Sequence, residues 1–415
     1  MVTFKPFRAV LPELHVLDKV VTRPFDSYTP QETAEVLASN PLSFLHVIVP
    51  VQDAHKKALT PYNQILNLGK QKLSSMLAEG TLVREDEPCF FLYQQVKEGH
   101  VYTGIIGLGH IGDYEGGRIR KHEQTLEHKE ELLKQYLDTI DIHAEPVYLV
   151  FENNTLWENI KEKYLRMAPY ASFQGPDSFV HTFWKIADKT DIAGVEQLFA
   201  AQQSLYIADG HHRCAASYLY GKNKAEADVN PAADACYNYF LAAALPETEA
   251  RLFEFSRLVR DLNGHTPEQF ISLLTEKFHI QRSSVPVVPV TPHEFGVCLA
   301  DGWYVLNLKK EFLKQEHPAD ALDPELANIH IFGPVLQIHD LRKDKRVRFI
   351  GGRTDVQRLE QAVKSGKFAA AFTFYPVRME LFKQMADAGE MMPPKSTFFE
   401  PKFLNGLFIY KLSEE

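Results

Sequence analysis

The sequence predicts a mixed α/β protein of the α+β kind, on three observations. Apolar runs of strand length alternate along the chain with segments of helical periodicity. At 415 residues and 45% hydrophobic, the chain can bury a substantial core and divides into two or more subdomains. Near its middle, an apolar run ends in Asp209-Gly210 and gives way at once to an Ala-rich helical pattern, which is strand, tight turn and helix in succession. The expected division is a core over 1–245, with an inserted hairpin and helices, and an α+β portion over 246–415. The PPKST loop and last strand of that second portion are expected to return to the core.

In order, the chain opens extended and punctuated by proline. Pro24 biases Arg23 toward β or polyproline geometry, and Arg23 and Asp26 read as a surface ion pair or as groups facing a cleft. Thr29-Pro30-Gln31-Glu32 is a helix start, with an N-cap, proline at the first helical position and an acid in the first turn. Residues 44–49 read as a buried strand, and 62–79 as a helix ending at Gly80. Two strand-like runs, 89–95 and 100–108, flank a Lys-Glu-Gly turn in the pattern of a β-hairpin. From Ile119 a charged helical pattern runs to about Asp138, placing Lys121, His122 and Glu123 at a helix start.

Residues 146–151 and 181–186 are strand candidates, and Thr190-Asp191 caps the helix that leads into the central turn. Past the next helix, 221–234 reads as a surface loop, 237–245 as a strand, and 252–259 as a period-two strand with Arg257 at a strand edge or, alternatively, near a cleft. A helix, a Pro/Val-rich linker at 286–292 and a strand at 303–308 follow. The chain closes with a strand at 372–377, an amphipathic helix over 378–389 striped by Met379, Phe382, Met385 and Ala386, and a strand at 406–410.

Chemistry concentrates at the central turn, where Asp209, His211, His212 and Arg213 fall within five residues. A turn that opens a helix points free N–H groups and a positive dipole end at whatever sits on it. Arg213 adds a planar fork suited to phosphate or carboxylate. The histidines offer acid, base or metal-ligand chemistry near neutral pH. The residues alone fit a metal or an anion; the plainer alternative is a polar turn with Asp209 as helix cap. Lys121, His122 and Glu123 offer a cation and candidate bases. Lys395, Ser396 and Thr397 offer a cation and two hydroxyls, like the end of a P-loop in residue type but without its glycines.

A net charge of −9 argues against general nucleic-acid binding, which needs a basic footprint. The densest basic run, 342–348, alternates with apolar residues as a strand or turn edge does. Cys89, Cys214, Cys236 and Cys298 are scattered with no CxxC pair, so neither a zinc knuckle nor a redox dithiol is indicated. No apolar run is long enough to span a bilayer, and a reducing cytoplasm is the expected home.

Three stretches together resemble one family. IRKHEQT at 119–125, IADGHHR at 207–213 and EMMPPKSTFFEPK at 390–402 stand in the order and context of domain of unknown function 1015, and the opening Pro6-Phe7-Arg8-Ala9 also fits it. The strand–DGHHR–helix turn is more distantly similar to the nucleotide-binding turn of the ParB-like and sulfiredoxin-like fold, which includes kinases of free serine. That resemblance implies a ParB-like nucleotide-binding core with large insertions. Gly210, His211 and Arg213 would hold nucleotide phosphates, and Asp209 would orient the turn or a magnesium ion. The acidic base of the small serine kinases has no alignable position here.

The expected function is a phosphotransferase using ATP or ADP with Mg2+ on a small hydroxylated metabolite, free serine first. It needs cations at the phosphates, from Lys121, Arg213 and Lys395 with Ser396 and Thr397, and a base from Glu123, His122 or His212. It also needs the three stretches to share one cleft. A metal-dependent phosphatase or hydrolase using Asp209 and the histidines is the enzymatic rival, and a non-catalytic nucleotide-binding protein is the third reading. No nucleic-acid or membrane partner is expected.

Overall fold

The computed structural model describes residues 1–48, 61–313, 322–341, 343–353, 355–393 and 395–413. The protein is mixed α/β and divides into two compact units. Met1–Ala250 and Pro401–Glu415 form the first, and Arg251–Glu400 forms the second.

The first unit is built on a nine-stranded mixed sheet. Its path runs Ile119–Arg120, Leu205–Asp209, Val147–Phe151, Tyr239–Pro246, His100–His110, Phe90–Lys97, Val180–Ile186, Ala171–Gln174, with Phe4–Lys5 also paired to His100–His110. Leu205–Asp209 runs parallel to Ile119–Arg120, and Tyr239–Pro246 parallel to Val147–Phe151; the other pairs are antiparallel. The predicted hairpin is present, Phe90–Lys97 with His100–His110. It turns at Glu98 (φ 51°) and Gly99 (φ 77°), two successive left-handed residues as a two-residue turn of matching twist requires.

Both sheet faces are covered, which is why its strands read as unbroken apolar runs. Phe90 and Leu92 enter a core with Trp157, Leu198, Phe199 and Cys214, beneath the helices Thr155–Leu165, Lys189–Ala200 and His211–Ala227. Phe91 and Tyr93, of opposite parity, meet the C-terminal segment: Phe408 lies 5.0 Å from Phe91 and 5.3 Å from Tyr93 between ring centroids. A smaller core joins Val10, Phe44, Val47, Leu66, Met76 and Ile409.

The helix Pro30–Ser39 begins as predicted, with Thr29 and Glu32 closing a capping box; Arg23 pairs with Glu32 at 3.1 Å and stacks on the Tyr28 ring. Four local expectations are corrected. Residues 45–48 form a helical turn, Leu45–Ile48, not a strand, and Val49 lies outside the described residues. A short run that is apolar but for His46 carries too little period to choose between the two, and the Ser43 hydroxyl accepts the Leu45 N–H and starts the turn. The helix before the central strand is capped by Asp188, whose Oδ1 accepts from Thr190 and Asp191. Gly221 does not end the helix His211–Ala227; it lets the helix approach the Tyr237 carbonyl, 2.4 Å from where a Cβ would stand. The final strand, Tyr410–Lys411, pairs with Ile142–His143 in a two-stranded sheet outside the large one.

The second unit is a six-stranded antiparallel sheet in the order Phe278–Ser283, Gly302–Leu308, Glu294–Leu299, Ala370–Phe374, Phe255–Val259, Val347–Gly351. One face packs on the helix Pro267–Leu274 and on Asp323–Ala327, which runs into a single π turn, Asn328–Phe332. The other face packs on Val356–Lys364. The predicted stripe of the helix Met379–Asp387 buries Phe382, Met385 and Ala386.

Arg257 is not at an edge. Its strand lies inside the sheet and the side chain is 1% exposed, donating to Asn328 Oδ1 at 2.6 Å and the Pro324 carbonyl at 3.3 Å. The Phe332 and Phe374 rings lie 4.8 and 4.9 Å from its guanidinium carbon. Burial pulls its pKa down to about 9. Val347–Gly351 is an edge strand, and Arg346 before it pairs with Asp344 and Asp261; Arg342 lies outside the described residues.

Candidate functional site

The site is built at the C-terminal end of the strand Leu205–Asp209, whose first four residues are buried. The helix His211–Ala227 starts immediately after it on Gly210, which has φ 94° and no side-chain cap. Asp209 is therefore not the helix cap. The Arg213 guanidinium folds back over Gly210, so a Cβ at 210 would stand 3.0 Å from its Cζ. Glycine is required there by dihedral and by space.

Strand pairing brings two further segments to the turn. Ile119–Arg120 runs parallel to Leu205–Tyr206 in register, so residues 121–126 continue alongside Asp209 and Gly210. This corrects the expected helix start at Lys121: the helix there is Glu127–Ile140, and Lys121, His122 and Glu123 follow a short strand instead. A two-residue strand is too short to announce itself by periodicity, and its partner lies some eighty residues on. Val147–Phe151 runs antiparallel to Leu205–Asp209, so its lead-in, Glu145-Pro146, also ends at the turn.

A fourth segment comes from the C-terminus. Gly406 N–H donates to the Ala144 carbonyl, and Asn405 exchanges backbone hydrogen bonds with Thr22 at 3.1 and 2.8 Å. Lys402 thereby reaches Asp209.

The result is a row of alternating charges. Lys402 Nζ lies 2.8 Å from Asp209 Oδ1, Arg213 Nη2 lies 2.7 Å from Asp209 Oδ2, and Arg213 Nη1 lies 2.9 Å from Glu145 Oε1. Arg213 also donates to the Pro146 carbonyl, and Asn405 Nδ2 donates to Glu145 Oε2 at 2.9 Å. Burial opposes ionisation of Asp209, but Lys402 and Arg213 beside it hold its carboxyl well below the usual range. Burial pushes Glu145 up against the pull of Arg213. Asp209 and Lys402 remain 37% and 32% exposed, so the row is reachable from solvent.

Two of the three imidazoles here, His211 and His212, are arranged as acceptors. His211 Nε2 faces the His122 N–H at 3.4 Å, and its Nδ1 lies 4.0 Å from Glu123 Oε2. His212 Nε2 accepts the Leu126 N–H at 3.1 Å. The two rings of His122 and His211 meet edge to face at 4.4 Å. Burial lowers the pKa of all three, that of His122 to about 4, so they stand neutral at pH 7. His211 and His212 thus hold the 121–126 segment by its backbone, and the nitrogen that would make His212 a base is already engaged. Lys121 lies exposed, 5.7 Å from the centre of the Tyr114 ring.

Of the predicted residues, the first unit brings together Lys121, His122, Glu123, Asp209, Gly210, His211, His212 and Arg213. Lys395, Ser396 and Thr397 belong to the second unit, where Lys395 (φ 58°) lies over the Phe255 ring and Ser396 is buried. Sequence reasoning missed Glu145, Lys402, Asn405 and Thr22. Lys402 closes the FFEPK stretch already singled out, and Glu145 is an acid set directly before a strand that is buried throughout.

Magnesium does not fit Asp209 as it stands, since both carboxylate oxygens are held by cations. Among the described residues, no three His, Cys, Asp or Glu side chains cluster as a metal site. No helix among them is long and apolar enough to cross a membrane.

A family model described as "Protein of unknown function (DUF1015)" matches residues 4–327. The chain belongs to the DUF1015 family. The matched residues of this DUF1015 protein include Thr22, Lys121 to Glu123, Glu145 and the DGHHR turn, while Lys402 and Asn405 lie beyond them. A search of curated proteins gives no match. Among solved structures the chain is similar to SbnI with C-terminal truncation from Staphylococcus aureus, at 13% identity and TM-score 0.36, over 72% of this chain and 85% of that one. It is also similar to a free serine kinase variant in complex with ADP, at 11% identity and TM-score 0.35, over 71% and 87%. A conserved hypothetical protein from Pyrococcus furiosus follows at 12% identity and TM-score 0.33, over 74% and 94%.

Proposed function

We propose that this DUF1015 protein is a nucleotide-dependent phosphotransferase acting on a small hydroxylated metabolite, with free serine the first candidate. The observation that carries the reading is the uncapped start of the helix His211–Ala227, flanked by the cations Arg213 and Lys402 and open to solvent. An anion belongs at such a helix start, and the phosphates of ATP or ADP supply one of suitable charge. Lys402 and Arg213 turn from carboxylate to phosphate as the ligand enters, and Lys121 extends the cationic side. A magnesium ion would be held by the nucleotide phosphates rather than by Asp209, and would supply charge neutralisation there.

Glu123 is the candidate proton acceptor. It is about half exposed, and the neutral His211 ring faces it with Nδ1, which carries the proton while Nε2 accepts from His122. His122, His211 and His212 fix the segment that carries it. Lys395, Ser396 and Thr397 have no part in this reading.

The test is incubation of the protein with ATP or ADP, magnesium and serine, followed by detection of phosphoserine, with Arg213→Ala as control. Thermal stabilisation by nucleotide is the binding readout. Phosphoserine made by the protein and lost in the variant is expected. Nucleotide stabilisation without product from a panel of hydroxylated metabolites supports a binding protein without turnover, and no stabilisation at millimolar nucleotide removes the reading altogether.

A further inference from the structure

We propose that Glu145, Thr22 and Asn405 frame an acceptor subsite that takes a small hydroxylated amine, its ammonium on Glu145. The proposal rests on the reading of the turn as a nucleotide-phosphate site and adds the substrate class.

The first argument is charge order. Lys402, Asp209, Arg213 and Glu145 alternate in sign through contacts of 2.8, 2.7 and 2.9 Å, with a cation at one end and a carboxylate at the other. A phosphate entering at the helix start engages the Lys402 end and draws on Arg213. Glu145, tucked beside the turn, then loses part of its counter-charge. Taking charge away from a buried carboxylate is costly unless another cation replaces it. An ammonium on Glu145 restores the alternation, whereas a second carboxylate there meets Glu145 and the field of Asp26.

The second argument is unused hydrogen-bonding capacity at the Glu145 end. Thr22 is 1% exposed and its hydroxyl has no hydrogen-bond partner. Thr22 and Asn405 exchange both backbone hydrogen bonds of an antiparallel bridge, so their side chains stand on the same face. The Asn405 amide already reaches Glu145 at 2.9 Å, which puts the Thr22 hydroxyl on that side. His143, two residues before Glu145, is 8% exposed and its Nε2 also has no partner. A buried hydroxyl left without a partner is costly, and a polar ligand beside Glu145 relieves that cost. One carboxylate and one hydroxyl on the same side match an amine carrying a hydroxyl on a short carbon frame.

The experiment is calorimetric titration of the ADP-saturated protein with L-serine, ethanolamine, D-glycerate and glycerol. It is run on the native chain, Glu145→Gln and Thr22→Val. The two amines are expected to bind and the two amine-free compounds to bind on the order of tenfold more weakly or not at all. Glu145→Gln, which keeps a hydrogen-bonding group for Arg213 and Asn405, is expected to lose amine binding by on the order of tenfold while ADP still stabilises it. Thr22→Val carries the same expectation with the charges untouched. Amine binding is also expected to tighten when ADP is present, and ADP binding to tighten equally when amine is present. If ADP binds but amines and glycerate bind alike, or Glu145→Gln leaves amine affinity unchanged, the subsite is refuted and the nucleotide reading stands. If ADP does not bind, both fall together.

Discussion

The Arg213 guanidinium lies across Gly210, its Cζ 3.0 Å from where a Cβ would stand on a residue held at φ 94°. Gly210→Ala therefore meets two penalties. The left-handed backbone costs an alanine about 1–2 kcal/mol, and the methyl pushes the guanidinium off Asp209 and Glu145. The variant is expected to melt several degrees lower and to lose stabilisation by ADP. An alanine variant that melts and binds like the native protein would count against the turn as described.

Lys402 ends the row of charges, and its removal leaves Asp209 with Arg213 alone. Lys402→Ala is expected to weaken ADP binding by about tenfold, as loss of one charge-assisted contact to phosphate does. Lys402→Arg is expected to restore part of it. Affinities unchanged in Lys402→Ala would remove this residue from the site.

The buried imidazoles fix the sign of the pH dependence. Burial holds His122 at about 4 and His143 at about 3 in the folded protein, while in the unfolded chain each titrates near 6.5. Between these values the unfolded chain binds the extra protons. The contribution is full above about pH 6.5 and is lost as pH falls toward 4, at about 3 kcal/mol for His122 and a similar amount for His143. Urea midpoints from pH 7.5 to 4.5 should fall accordingly, and His143→Gln should flatten the curve. A flat native curve would contradict the burial of both rings.

His212 holds the Leu126 N–H. In His212→Ala that amide loses its acceptor, and its hydrogen exchange is expected to quicken about fivefold or more, with smaller effects across 121–126. Exchange confined to its native rate would show that the segment is held by something else.

Arg257→Ala removes a guanidinium that satisfies Asn328 and the Pro324 carbonyl and fills the space between Phe332 and Phe374. The expected loss is about 3 kcal/mol or more from the second unit, with Arg257→Met intermediate because its stem still fills part of the volume. Limited proteolysis of 251–400 reads the effect directly.

Local signals in the sequence carried far. Thr29-Pro30 and Glu32 announce a helix start, Glu98-Gly99 a hairpin, and the apolar run into Asp209-Gly210 a strand and turn, because each depends on dihedrals and hydrogen bonds within four residues. Phe44 to Ile48 misled because a short run, apolar but for His46, suits a buried strand or a buried helical turn alike. Lys121 and Glu123 were named but set on the wrong element, since their placement follows from parallel pairing with residues far along the chain. Glu145, Lys402 and Asn405 escaped for the same reason: each is an ordinary polar residue until tertiary contact sets it beside Arg213 or Asp209. Arg257 reads as an edge residue by alternation, and only the sheet order shows it enclosed.

The first unit is interrupted by 150 intervening residues before Pro401 brings the chain back to it. During synthesis, at roughly 5–20 residues per second, its first stretch waits about eight to thirty seconds for Lys402, Asn405 and the Phe403 and Phe408 side chains that cover its aromatic face. Throughout that interval the nascent chain holds an uncovered apolar surface and an Asp209 without its lysine. A polypeptide that stops short of Pro401 keeps its DGHHR turn but lacks Lys402, so its charge row is unfinished and the Phe91 and Tyr93 rings lose their Phe408 cover.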